Sequence, residues 1–187
     1  MMRSLNRKRR GTGFTLIEVL ITLIILSVGL LGVAGLQLTS LQNQLEAYQR
    51  AQAILLVEDM ASRIRANAPA ARTGEYIPAT NYGLDGTGNC TSAMTTAVYD
   101  LCDWDNILAG EGVSVAGVDV GSVNAARGCI ENITGTDFNE TIIRITLAWQ
   151  GNVATQAPIS NCGENEYGDD DAFRRTISVD VVLADLE

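Results

Sequence analysis

Histidine is absent from this 187-residue chain, which removes the commonest catalytic base and metal ligand. There is no Cys-x-x-Cys pair, no serine or cysteine in a nucleophile motif, and no paired acid pattern outside one polar run. An enzyme on a membrane tether therefore has little support, and no cofactor is expected. Proline does not occur before Pro69, and no charged residue lies between Val19 and Leu45. Basic residues are scarce after the start. Arg3, Arg7, Lys8, Arg9 and Arg10 place +5 on the first ten positions, whereas eight Lys/Arg face 22 Asp/Glu in the rest, a net −14 after Gly13. So acidic a body repels phosphate, so no nucleic acid is expected as a partner. It suits a domain that has crossed a membrane while its basic head stayed behind.

What is present is unevenly placed. Val19–Leu36 (VLITLIILSVGLLGVAGL) is almost wholly apolar, and about 20 such residues span a bilayer as a helix. The basic residues keep the amino end cytoplasmic, so the carboxyl end lies outside. An ordinary secretory signal puts its apolar region before a small-residue cut. Here the order is reversed: basic, then small (MMRSLNRKRRGTG), then apolar, with the candidate cut between Gly13 and Phe14. Glu18 interrupts the apolar stretch at a cost of roughly 2.5–3.5 kcal/mol at mid-bilayer, so it either has a partner or marks the membrane edge.

Four cysteines, Cys90, Cys102, Cys129 and Cys162, follow the apolar block. An even count in an exported domain points to disulfides, and the long spacings argue against zinc. Sequence leaves three pairings open; the closeness of Cys90 to Cys102 favours that pair with Cys129–Cys162.

GFTLIEVLITLIILSVGLLG, from Gly13 to Gly32, resembles the class III signal of type IV pilins and of the pseudopilins of type II secretion. The resemblance implies that a prepilin peptidase cuts after Gly13 and methylates Phe14. It further implies that Glu18 attracts the amino terminus of a neighbouring subunit, relieving the cost of burying both charges.

Beyond the apolar block, Leu38, Leu41, Leu45, Tyr48, Gln52, Leu55, Val57, Met60, Ala61 and Ile64 recur at mostly three- and four-residue steps, predicting a helix with one buried stripe. A helix from about Thr15 to Asn67 would be on the order of 80 Å long, stopped by Pro69. Ala70–Gly88, with Gly74, Pro78, Asn81-Tyr82-Gly83 and Asp85-Gly86, reads as loop. A helical segment is expected within Cys90–Leu108, ending near Gly110. Strands are expected where Ile143, Ile145, Leu147 and Trp149 alternate with polar or small residues, and likewise Ile177, Val179, Val181 and Leu183. Shorter candidates lie at Val113–Val120 and Cys129–Ile133. Asn161–Asp171 (NCGENEYGDDD) is too polar for core, and its acids Glu164, Glu166, Asp169, Asp170 and Asp171 make calcium a minor alternative.

The expected organisation is a leader at 1–13, a membrane or filament-core helix at 14–37, an amphipathic continuation at 38–67, and an α+β head with disulfides at 68–187. The head's small antiparallel sheet is covered by the long helix. Ser40–Asn67, ending in Met60–Asn67 (MASRIRAN), resembles the PilV-type minor pilins, as do Cys102-Asp103-Trp104, Arg127-Gly128-Cys129-Ile130 and Leu147-Ala148-Trp149. That likeness implies a minor pilin that helps prime pilus assembly and supports adhesion or twitching motility. Its implied partners are other minor and major pilins, prepilin peptidase, the inner-membrane assembly machinery and the membrane itself. Its implied location is the inner membrane first and the pilus or cell surface afterwards. A minor pseudopilin of a type II secretion system is the alternative.

Overall fold

The structure is a computed structural model that describes residues 13–77, 81–83, 86, 88–110, 114–115, 118–119, 123–133 and 140–184. The leader before Gly13, Pro78 and Asp85 lie outside those residues. The chain divides into two units, residues 1–43 and 44–187. One helix, α1 (Leu16–Ala66), contributes to both.

In the first unit α1 carries an apolar window of mean hydropathy 2.7, and every described residue from 13 to 43 is exposed. It is long and apolar enough to cross a membrane. Its few hydroxyl groups are satisfied within the helix: Thr22 donates to the Val19 carbonyl (2.8 Å), Ser27 to Leu23 (2.7 Å) and Thr39 to Gly35 (3.2 Å). Such back-bonding lets hydroxyl side chains sit in an apolar surround.

The second unit is an α+β head. Strands β3 (Arg127–Asn132), β4 (Glu140–Gln150) and β5 (Arg174–Ala184) form an antiparallel sheet in sequence order. The end of α1 packs on this sheet: Ala53, Val57, Met60, Ala61 and Ile64 share one core with Ile130, Ile143, Ile145, Leu147, Val181 and Leu183. The expected fold class is therefore found. Helix α3 (Thr96–Ala109) closes the core with Leu101, Trp104 and Leu108. Thr95 caps its start by accepting from the Val98 amide, and left-handed Gly110 ends it. Arg63 of α1 reaches Asp103 of α3 at 2.7 Å.

Four expectations change. The buried stripe of α1 begins at Ala53; Leu38, Leu41, Leu45, Tyr48 and Leu55 are exposed. Pro69 does not open a loop but sits in the first turn of α2 (Ala68–Arg72), where its missing N–H costs nothing. The segment Cys90–Thr95 lies outside α3. The polar run Asn161–Asp171 buries Cys162, Tyr167 and Asp171, and Cys162 and Tyr167 make a second small cluster with Ala148 on the far face of β4. Within Val113–Val120, β1 (Ser114–Val115) pairs with β2 (Val118–Asp119); the remaining positions lie outside the described residues.

Candidate functional site

The junction expected to be cut opens the first unit. Gly13 is exposed, and a Cβ placed on it would meet nothing within 4 Å. Phe14 is 83% exposed. The helix starts immediately behind, because the Thr15 carbonyl accepts from the amides of both Glu18 (3.1 Å) and Val19 (3.3 Å). Glu18 therefore lies in the first turn, where a carboxylate complements the helix dipole. Four residues separate it from Phe14, about 6 Å along a helix axis. A peptidase acting there would meet a small, accessible residue followed at once by an apolar helix. An amine freed at Phe14 lies about one turn from the acid.

The cysteines belong to the head and form two pairs. Cys90–Cys102 ties the segment before α3 to that helix, and Cys129–Cys162 ties β3 to the polar run. Two hubs missed in the sequence hold these segments in place. Arg174 is buried, and its guanidinium donates to the carbonyls of Ser160, Cys162 (2.9 Å) and Pro158 (3.2 Å) while lying 3.2 Å from Asp171. Asp171 in turn accepts from the amides of Asn165 (2.8 Å) and Tyr167 (3.4 Å). The second hub is Trp104, which donates to the Leu56 carbonyl at 3.0 Å and meets Tyr82 edge-on. Its ring lies where a Cβ on Gly128 would sit, 2.3 Å away, so only glycine fits there. The Cys102-Asp103-Trp104 and Arg127-Gly128-Cys129 motifs are thus neighbours. Their shared trace in the sequence is a tryptophan and a glycine, each one or two residues from a disulfide cysteine.

The calcium alternative loses two of its acids to internal pairs: Asp171 to Arg174, and Glu166 to Arg127 at 3.2 Å. Among the described residues no group of three or more Cys, Asp or Glu side chains is placed to hold a metal ion. A groove of about 530 Å³ runs over the outer face of the sheet past Asn81, Glu131, Arg144, Asn161 and Ser178. Arg144 there binds both oxygens of Asp180 at 2.8 Å, which holds the Asp180 carboxyl below its ordinary range. The groove offers hydrogen bonding but no acid–base pair for chemistry.

Two family models match the chain. Residues 8–34 match the prokaryotic N-terminal methylation motif, and residues 35–107 match the family described as Type IV pilin Tt1218. No curated protein and no solved structure matches significantly.

Proposed function

We infer, from the premise that this chain is a type IV pilin with an N-terminal methylation motif, that it is cut between Gly13 and Phe14 and serves as a PilV-type minor pilin. As a type IV pilin it is a structural protein rather than an enzyme. It is processed at its methylation motif, sits in the inner membrane by its apolar helix, and then assembles with other pilins. The carrying observation is the motif match over 8–34, which spans the junction and runs directly into α1.

At residue level, prepilin peptidase removes 1–13 and methylates Phe14. Residues 14–37 form the membrane and filament-core segment, 38–67 continue into the head, and 68–187 complete it. Glu18 pairs with the amino terminus of a neighbouring subunit, so that neither charge is buried alone. The PilV-type role in priming assembly is supported by the MASRIRAN helix ending and by the Trp104–Gly128 contact, which joins two further motifs of that likeness.

Mass spectrometry of the mature protein tests the cut: the first peptide begins with methylated Phe14, and an intact Met1 or another start rejects it. Glu18→Ala is expected to leave processing intact and abolish entry into pili; normal piliation rejects the pairing role. Deleting the gene separates the two assemblies, since loss of pili with normal protein secretion fits the pilus and the reverse fits a pseudopilin.

A further inference from the structure

We propose that the free edge of β5 receives an extended segment from a different, neighbouring pilin subunit, a contact that rests on the assembly role above and names a surface for it. The observation is an asymmetry between the two edges of the sheet. β4 and β5 pair without a bulge from Glu140↔Ala184 to Gln150↔Arg174. Just beyond, the Gly151 amide donates to the Phe173 carbonyl at 2.8 Å. In an antiparallel ladder every second residue exchanges bonds with its partner strand. That bond therefore sets the parity: the odd-numbered residues of β5 face β4. Thr176, Ser178, Asp180 and Val182 turn their N–H and C=O groups away from the sheet. The same alternation holds on the other side, where Ile133 donates to Ile142 at 2.9 Å and Gly128 faces outward.

The β3 edge is closed at that glycine. Tyr82 donates to the Gly128 carbonyl at 2.9 Å, and Gly128 donates back at 3.0 Å. Among the described residues, the β5 edge is covered only at its two ends, where Arg175 donates to the Arg174 carbonyl at 3.2 Å and Arg72 to the Ala184 carbonyl. Open edges are normally blunted by proline, lysine, a bulge or a free charge. β5 contains neither proline nor lysine. Its charges are already engaged: Arg174 is buried, Arg175 is bound to Glu46 and the 153–155 loop, and Asp180 is neutralised by Arg144. Val182 is 54% exposed beside this ladder. From Thr176 to Val182 the open row is about 20 Å long.

Alternating N–H and C=O groups along such a row are matched by an extended main chain, and strand addition is the recurrent way to fill one. A second copy of this chain is disfavoured, because two bodies of net −14 repel each other. The occupant is a neutral or basic extended segment on the head of another pilin.

The test uses the full chain in the cells that make it, with a photo-crosslinking phenylalanine analogue at Val182 and, separately, at Leu55 on α1. The Val182 adduct is expected to contain an extended segment of a different pilin. Ser178→Pro removes an outward N–H together with the hydroxyl bond to Thr146 of β4 (2.8 Å), and it is expected to cut the adduct at least about tenfold, the worth of one net hydrogen bond, while Ser178→Ala, which loses the same hydroxyl bond but keeps the N–H, retains it. Amide exchange gives a readout that needs no variant. In the complex, Thr176, Ser178, Asp180 and Val182 slow at least about tenfold, whereas the odd-numbered amides are protected before and after. An adduct with a second copy or with a non-pilin, an adduct unaffected by Ser178→Pro, or exchange without the alternation overturns the proposal. Pilin adducts at Leu55 with none at Val182 overturn it while leaving the assembly role standing; none at either position overturns both.

Discussion

Arg174 and Asp171 form a nearly dry ion pair, with side chains only 4% and 6% exposed. Neither could be left alone: an unpaired charge in such a place costs several kcal/mol. Arg174→Met is therefore expected to destabilise the head by about 3–5 kcal/mol, because it strands Asp171 and frees the carbonyls of Pro158, Ser160 and Cys162. Adding Asp171→Asn should recover part of that loss, as denaturation in urea would measure. A purely steric role for Arg174 predicts no recovery. Three buried tyrosines make a second prediction at this scale. Burial, then the hydrogen bond to Asp100, pushes the Tyr76 hydroxyl up from 10.0 to about 12. Tyr82 and Tyr167 are also raised, chiefly by burial. A raised folded-state value means that the neutral form carries the stability. It is whole below the unfolded value near 10 and drains away as pH climbs toward the folded value. Stability is thus expected to fall from about pH 10 upward, with phenolate absorbance from these three appearing only as the protein unfolds. Normal ionisation of all five tyrosines in the folded protein would contradict it.

Among the elements, α1 shows both the reach and the limit of periodicity. Its existence, its end before Pro69 and its approach to the head follow from spacing alone. The choice of buried face does not. Leu41, Leu45, Tyr48 and Leu55 repeat at helical intervals as faithfully as Val57, Met60, Ala61 and Ile64, but only the latter meet the sheet. This helix carries two apolar faces, and hydropathy does not say which of them the head covers. The two faces separate by mutation. Met60→Ala is expected to cost about 2–4 kcal/mol through lost burial and a cavity, whereas Leu55→Ala stays within about 0.5 kcal/mol. Comparable losses in chemical denaturation would mean that Leu55 belongs to the core. The strands were legible because Ile143–Trp149 and Ile177–Leu183 alternate cleanly. The polar run was not, since its burial depends on an arginine hub and a disulfide that cancel its polarity in space.

Across the whole molecule, legibility tracks how local each feature is. The proposed processing junction is a contiguous stretch, so charge, glycine and apolar run can be read in order. The open edge of β5 depends on strand order and on Tyr82 covering Gly128, neither of which is written locally. The chain also divides its chemistry by unit. Among the described residues, every buried one lies at Ala53 or beyond, while residues 13–43 are exposed throughout. The first unit thus presents an apolar surface of the length and hydropathy that would cross a membrane. Residues 44–187 hold that core, both disulfides, and the Glu46 contact that binds the Asn152 amide at 2.8 Å. A chain starting at Gln44, exported to an oxidising compartment, is then expected to be soluble, free of reactive thiols and cooperative in thermal unfolding. Size-exclusion chromatography, thiol titration and circular dichroism check each point. Aggregation or open thiols would mean that the head needs residues before Gln44 to fold. Success would make residues 44–187 available for testing the β5 edge without the apolar segment.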